Sequence, residues 1–377
     1  MSKVPKTVGP LNLLSLDGGG IRTVSQLVIL NEIMKRVMQT KELNEMPKPC
    51  DYFHLIGGSG TGGIIAILLG RLRMTAEQAL EKYIELMQEV FNQANHTLVP
   101  SKLGGSYKAE KMREVMERIV HSSGNGELMH QNHPRQLGRT FVCTLFLHNT
   151  RYVQRLRTYP MLKNDTIHST IWEAAYATAA LPWLFKPIGI EGFAKIKQSF
   201  IGAETNCSNP TKEVVEEAKE VFDAGCHVQL ILSIGSGHPG PLSLPHRSIF
   251  PTGFKEELLR SLMNMSLDCE RTADELAPAY KKIPNLYFRL NVTHGAGLVG
   301  FEEYQAVSEL WTHTHSYLQD DKISKEVDTI VECLCNKQAK LQLSSLSVGS
   351  SIPESWTSTA PDSSAMECDS DTPNENF

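Results

Sequence analysis

The stretch Gly57–Gly63, with the sequence GGSGTGG, decides how this chain folds. It follows a short apolar run, Tyr52–Ile56, that is typical of a buried strand. It precedes a second apolar run, Ile64–Leu72, that is typical of a helix. A strand, a glycine-packed turn and a helix form the nucleophile elbow, G-x-S-x-G. Its central position is Gly60 here, so the sequence predicts the elbow without its serine.

A second glycine-rich turn lies near the N-terminus. The apolar run Leu11–Leu16 leads into Asp17–Arg22, with the sequence DGGGIR, and a helix is predicted over Val24–Met38. Consecutive glycines let backbone N–H groups converge at a helix N-terminus, where the helix dipole favours negative charge. Such a turn is suited to an oxyanion, and an arginine adds positive charge. The predicted oxyanion- and anion-binding residues are Gly18, Gly19, Gly20 and Arg22.

The order of these two turns resembles the patatin-like phospholipases, which are lipid acyl hydrolases with a Ser–Asp dyad. Ile171–Pro182 is similar to the family's helix that ends in A-x-P, and Phe200–Pro210 is similar to its F-x-D-G/A-G-x-x-x-N-N-P segment. Val228–Gly237 is similar to the following strand and its S-I-G-T-G turn. The resemblance covers residues 10–320. It implies a three-layer α/β/α fold with a mostly parallel central sheet.

The resemblance fails at the two positions that carry the chemistry. The family's nucleophile aligns with Gly60 and its catalytic aspartate with Gly202, while Thr23 replaces a glycine of the anion turn. An acyl hydrolase needs an atom that attacks the carbonyl and a base that accepts its proton. Glycine supplies neither, so the alignment predicts a catalytically inactive or severely impaired relative that keeps its anion turn and lipid cleft.

A displaced catalytic pair, Ser59 and Glu204, is the alternative that keeps the chemistry. Two positions along a strand move a carboxylate by about 6–7 Å, whereas proton transfer needs contact at about 2.6–3.2 Å. We therefore expect Ser59 to cap the following helix and Glu204 to be a solvent-exposed loop acid.

The glycine run also fits G-x-G-x-x-G, the dinucleotide-binding fingerprint. That site requires a second strand ending in an acid about 20 residues later. Met74–Met87 instead has helical periodicity with an N-cap at Thr75, which disfavours nucleotide binding.

Composition narrows the class of protein. The 377 residues are 41% hydrophobic and 21% charged, which is ordinary for a globular protein. A net charge of −5 gives no reason to expect nucleic acid. The eight cysteines form no C-x-x-C pair, which argues against a zinc site and for reduced thiols in an intracellular compartment, so we expect a cytoplasmic location. No signal peptide or transmembrane helix is predicted, and no metal or cofactor is expected.

The chain is predicted to divide into a domain over 10–320, a C-terminal helix over 321–340 and a disordered Ser/Thr/acidic tail over 341–377. Alternating strands and helices predict a mostly parallel sheet covered on both faces, with the glycine turns meeting at the strands' carboxyl ends. Predicted strands cover Leu11–Asp17, His54–Gly58, Thr140–His148, Val153–Thr158, Lys195–Ile201, His227–Ile234 and Leu286–Val292. Further predicted helices cover Thr75–Phe91, Lys108–His121, Thr211–Phe222, Gly253–Glu275, Glu302–Gln319 and Ser324–Asn336.

The leading hypothesis is a non-catalytic lipid-binding or regulatory relative of the lipid acyl hydrolases. Its ligand would be a fatty acid, lysolipid or phospholipid head group, with peripheral membrane contact. Two alternatives remain: an active lipid acyl ester hydrolase that uses the displaced Ser59–Glu204 pair, and a protein-interaction module with a vestigial cleft.

Overall fold

The computed structural model describes residues 9–96, 106–131, 137–161, 167–192, 195–238, 240 and 254–346. The strands are β1 (Leu11–Leu16), β2 (Leu55–Ser59), β3 (Arg139–Phe146), β4 (Asn149–Arg157), β5 (Ile188–Glu191), β6 (Lys197–Gly202), β7 (His227–Ile234), β8 (Tyr287–Leu290) and β9 (Leu341–Gln342). The helices are α1 (Val24–Thr40), α2 (Gly60–Ala66), α3 (Ala76–Val90), α4 (Ala109–Ser123), α5 (Ile171–Ala179), α6 (Thr211–Val221), α7 (Phe254–Ser266), α8 (Glu270–Tyr280), α9 (Val307–Leu318) and α10 (Asp321–Cys335).

The centre of the sheet is parallel, as predicted. Strands β3, β2, β1, β7 and β8 lie side by side in that order and run parallel, while β4, β5, β6 and β9 add antiparallel pairings at the margins. Strand β3 pairs with β2 as far as Cys143 and with β6 from Thr144, where its partner is Gly202. Because β4 covers the opposite edge of β3, the ends of β2 and β6 meet on one edge. This arrangement brings the glycine elbow and Gly202 together.

Both faces of the sheet are buried under helices. On β1, Leu14 and Leu16 belong to the core beneath α1 to α5, α9 and α10. Leu13, which points to the opposite face because side chains alternate along a strand, packs in a second core with Val214 of α6 and Leu276 of α8. Alternation along one strand thus builds two cores and three layers, α/β/α.

Two elements differ from the sequence prediction in the middle of the chain. The helix predicted over Gly253–Glu275 is two helices, α7 and α8, and the prediction of one helix was wrong. The Asp268 carboxylate accepts a hydrogen bond from the Glu270 N–H at 3.0 Å, a local side-chain-to-backbone turn at the break between the two helices. The short strand β5 was not predicted, since Ile188–Glu191 shows too little alternation to signal it.

The C-terminal boundary also differs. Helix α10 packs Val327 and Ile330 into the first core, so it is part of the same domain. The prediction that the tail begins at residue 341 was wrong for residues 341–346, because β9 pairs with β7 and Leu343 and Leu346 are buried. Residues 347–377 lie outside the described part of the chain. Within the described ranges, no helix combines the length and the apolar character needed to cross a bilayer.

Candidate functional site: an elbow filled by a glutamate

The glycine elbow has the geometry that its sequence predicts. Strand β2 ends at Ser59 and α2 begins at Gly60, whose φ of +56° lies in the left-handed region that glycine tolerates best. A Cβ at Gly58 would overlap with the backbone at Gly62, and one at Gly62 would overlap with the backbone carbonyl of Asp17. The glycines at these positions therefore allow β2, α2 and the N-terminal turn to approach closely.

The side chain of Glu204 fills the space above Gly60. A Cβ added to Gly60 would overlap with Oε1 of Glu204, and a Cβ added to Gly18 would overlap with the same carboxylate. Glu204 is 1% exposed, so the expectation of a solvent-exposed loop acid was wrong. A carboxylate of this chain therefore lies where the nucleophile of an active elbow would begin.

Glu204 also takes the backbone donors around the elbow. The Thr61 N–H donates to Oε1 at 3.2 Å, and the backbone N–H of Gly19 in the N-terminal turn also favours the charged form and lowers the pKa of the carboxylate. Burial raises the pKa of Glu204 to about 7, and the two amides and the Arg22 charge offset part of that rise. Among the described residues, Oε2 has no hydrogen-bond partner. An external anion must displace this side chain before it can reach the two amides.

Glu204 reaches the elbow because the strand ends before it. Strand β6 stops at Gly202 and the chain turns at Ala203. The separation of about 6–7 Å expected for Glu204 assumed that β6 continues to residue 204, so that expectation does not apply to this chain. The family pattern held a usable signal, because its F-x-D-G/A-G segment places a glycine where this chain has Glu204.

The side chains of Ser59 and Glu204 make no hydrogen bond to each other. Ser59 stands at the N-cap of α2, but its side chain makes no capping hydrogen bond, so the expected helix cap is absent. Its Oγ is buried and, within the described residues, has no hydrogen-bond partner. The hydrogen bond that general-base activation requires is thus not made between the two side chains.

Gly202, the vacant base position, is enclosed by backbone. Its N–H donates to the Ala180 carbonyl at 2.9 Å. A Cβ added there would lie 2.8 Å from the carbonyl oxygen of Thr178, close enough that the end of α5 would have to shift. The absence of a side chain at Gly202 lets β6 and α5 close together.

The N-terminal turn is held by its own hydrogen bonds. The Gly18 N–H donates to the Ser208 carbonyl at 3.0 Å, and the Gly18 carbonyl accepts from the Ser236 hydroxyl at 2.6 Å. The Gly20 carbonyl accepts from the Tyr83 hydroxyl at 2.7 Å. The structure therefore gives the Gly18 amide, predicted to bind an anion, a partner within the protein.

Arg22 connects two loops around the site. Its Nε donates to the Gly19 carbonyl at 3.1 Å and its Nη1 to the Gly297 carbonyl at 3.0 Å. The guanidinium lies 4.7 Å from the centre of the Phe301 ring, which is cation–π geometry. Arg22 therefore positions the glycine turn as well as supplying charge beside Glu204.

Replacing Arg22 should cost stability. Arg22→Ala removes two charge-assisted hydrogen bonds from a half-buried side chain, so the free energy of unfolding is expected to fall by about 2 kcal/mol. Chemical denaturation measures the change. Arg22→Lys keeps the positive charge but loses the planar guanidinium group that donates both hydrogen bonds. It should therefore recover only part of the lost free energy of unfolding. Unchanged stability in Arg22→Ala would contradict the structural role.

A buried ion pair involves Asp17, the residue before the N-terminal glycine turn. This pair was not predicted from the sequence. Asp17 accepts a hydrogen bond from Arg289 at 2.6 Å, and Arg289 also contacts Glu270 at 2.5 Å. Burial raises the pKa of Asp17 to about 6, against the opposing effect of Arg289. These residues are far apart in sequence, so no local pattern joins them.

An apolar cavity adjoins the Glu204 carboxylate. Its volume is about 20 Å³, which is the room that a single water molecule needs, so a larger ligand requires the side chains of the walls to move. Side chains of α3, α4 and the segment after α5 supply the walls, and Glu204 is the acid among them. The aliphatic and aromatic lining residues are Ile64, Leu86, Met87, Val90, Phe91, Met112, Leu181, Leu184, Phe185 and Phe301. Within the described ranges no group of His, Cys, Asp or Glu side chains is arranged to hold a metal ion.

Glu204 should make stability depend on pH. Its pKa rises from 4.5 to about 7 on folding, so the folded protein binds the proton more tightly. This contribution is present in full below pH 4.5 and is lost as pH rises through 7. Between pH 4.5 and 8, wild type should lose about 3 kcal/mol relative to Glu204→Gln, which does not titrate. Urea unfolding of both proteins at several pH values measures the difference. Glu191→Gln, an exposed control at the end of β5, should follow the wild-type curve.

Comparisons with known proteins agree with this scaffold, a nucleophile-elbow α/β/α fold. The sequence profile of the patatin-like phospholipases matches residues 14–195. Patatin-like phospholipase 1 of Plasmodium falciparum (isolate NF54) is 24% identical over 356 residues, which cover 87% of this chain and 50% of that protein. Probable inactive patatin-3-Kuras 1 of Solanum tuberosum is 25% identical over 189 residues, which cover 48% of this chain and 46% of that protein. The profile match covers just under half of this chain, and the chain spans about half the length of these relatives, so its sequence is similar to that of the patatin-like phospholipase family.

Proposed function

We propose that this protein is a non-catalytic member of the patatin-like phospholipase family and that it binds an acyl lipid in the cavity beside the elbow. The position of the Glu204 carboxylate carries the proposal. It overlaps the space of a nucleophile on Gly60 and engages the Thr61 and Gly19 amides that would stabilise an oxyanion. Loss of the nucleophile, occupation of the amides and loss of the base at Gly202 each act against hydrolysis.

Lipid binding is supported by the cavity that remains. Its walls are apolar, and Met87 and Met112 are flexible side chains that can move to admit a chain. Leu184 and Phe301 line both this cavity and an outer groove that includes Trp183 and Leu298, the latter 80% exposed. The groove also includes Arg22, Glu302 and Glu303, so a lipid that enters between Leu184 and Phe301 would pass from a partly polar surface into the apolar cavity. The name of the Solanum tuberosum relative, probable inactive patatin-3-Kuras 1, is in keeping with an inactive family member.

Ester hydrolysis tests the first half of the proposal. Wild-type protein is expected to hydrolyse p-nitrophenyl butyrate no faster than heat-denatured protein, because Gly60 supplies no nucleophile and the Glu204 carboxylate makes no hydrogen bond to Ser59. Robust wild-type turnover that disappears in Ser59→Ala would instead establish the displaced Ser59–Glu204 hydrolase.

Ligand-induced stabilisation tests the second half, since a ligand that binds only the folded state raises its melting temperature. A single-chain C10 lipid is expected to raise the wild-type melting temperature. It should have less effect on Met112→Trp, which fills the cavity. No shift with any lipid would favour the protein-interaction module instead.

A further inference from the structure

The cavity has one unsatisfied polar atom, and that atom is an acceptor. Oε1 of Glu204 accepts a hydrogen bond from the Thr61 N–H, whereas Oε2 is buried with no hydrogen-bond partner in the described part of the chain. Glu204 lines the cavity, and the neighbouring walls there are apolar. A buried acceptor without a partner costs about 1–3 kcal/mol, so a ligand that supplies a donor recovers that free energy.

From this arrangement we infer that the cavity selects single-chain lipids with an uncharged hydrogen-bond donor as head group, such as a primary alcohol, over lipids with an anionic head group. The inference rests on the proposed lipid-binding function and names its ligand class. A hydroxyl donates to Oε2 while its alkyl chain lies among Met87, Met112 and the other apolar walls.

Two further observations favour this class over anions. An anionic head group would compete with Glu204 for the Thr61 and Gly19 amides, and the Gly18 amide donates to Ser208. It would also meet the Glu204 charge in a buried site, where like charges repel strongly. A cationic head group is opposed by Arg22, whose charge already acts on Glu204, and by the desolvation of its own charge.

Glu204→Gln offers a test that reverses the selectivity. In the variant the amide oxygen can accept from Thr61 and Gly19, which leaves the NH2 group at the position of Oε2 as a donor. Wild type should therefore prefer a donor head group, and Glu204→Gln should prefer an acceptor head group. A change limited to cavity shape does not produce such a reversal, because the two side chains are nearly the same size.

The experiment is calorimetric titration with three C10 probes at pH 8, where the carboxylate form predominates: decanol, decanoate and methyl decanoate. Wild type is expected to bind decanol at least about tenfold more tightly than the other two. Glu204→Gln should lose that preference and bind methyl decanoate more tightly than decanol. Glu191→Gln, the exposed control at the end of β5, should keep the wild-type order.

The outcomes separate this inference from the proposed function. Equal binding of all three probes by wild type, tighter binding of decanoate, or an unchanged order in Glu204→Gln overturns the donor selectivity and leaves lipid binding in place. Binding of no probe overturns both. Release of methanol from methyl decanoate would overturn the non-catalytic function alone.

Discussion

Gly60→Ser alone is expected to leave ester hydrolysis at the background rate. A Cβ at this position overlaps with Oε1 of Glu204, so the new side chain and the glutamate compete for one space. Glu204 must move away from the new side chain to make room for it, and the base position at Gly202 has no side chain, so no carboxylate is positioned to accept the proton of the hydroxyl. An unactivated serine is a weak nucleophile.

Gly60→Ser with Gly202→Asp is also expected to be inactive, although it restores both residues of the family's dyad. Glu204 still occupies the elbow and the two amides. Only the triple variant that adds Glu204→Gly, the residue that the family pattern has there, restores nucleophile, base and free oxyanion donors together. We expect it to exceed the double variant by at least about 100-fold, because removal of Glu204 frees the oxyanion donors and one such donor contributes about 100- to 1,000-fold in rate. Initial rates with p-nitrophenyl butyrate measure the series.

The matched control replaces a different glutamate. Gly60→Ser with Gly202→Asp and Glu303→Gly carries the same number of substitutions but leaves Glu204 in place, so it should remain inactive. Folding of each variant is checked by circular dichroism, since the new Cβ at position 202 crowds the Thr178 carbonyl at 2.8 Å. If the double variant is as active as the triple, Glu204 does not block the elbow.

The sequence predicts the elbow well because glycines there report steric requirements. Gly58 and Gly62 are each packed against backbone, and the left-handed φ of Gly60 favours glycine, so spacing alone indicates the turn. The carboxyl ends of β1 and β2 also lie side by side, because the two strands are parallel neighbours in the sheet. What sequence spacing could not supply was the direction of Glu204, which depends on where β6 ends and on the empty space above Gly60.

Contacts between residues close in sequence could be predicted, whereas contacts between distant residues could not. Thr75 was predicted as an N-cap and forms a capping box with Gln78, because both partners lie within four residues. The Asp17–Arg289 pair joins residues 272 positions apart, and no local pattern encodes it. The first residues of the predicted tail are polar in composition, but Leu343 is buried in the second core. That core is built from residues distant in sequence, so the composition of the tail does not indicate it.

Truncation after Lys340 is expected to destabilise the domain, whereas truncation after Leu346 is not. The six residues between these points include Leu343 and Leu346, which are 0% and 3% exposed. They also include β9, the hydrogen bond from the Leu343 N–H to the Cys226 carbonyl at 2.8 Å, and that from Lys219 to the Leu346 carbonyl at 2.6 Å. Burial of each leucine contributes roughly 1.5–3 kcal/mol, less the entropy of ordering the segment.

We therefore expect truncation after Lys340 to lower the free energy of unfolding by roughly 2–5 kcal/mol. Truncation after Leu346 removes only residues rich in Ser, Thr, Pro and acids, and it should leave the melting temperature within experimental scatter. Leu343→Ala in the full chain separates side-chain burial from strand pairing, and should cost about 2–5 kcal/mol because it leaves a cavity in the second core. Thermal and urea unfolding of the three proteins measure these differences. Equal stability of the two truncated chains would show that residues 341–346 do not contribute to the core.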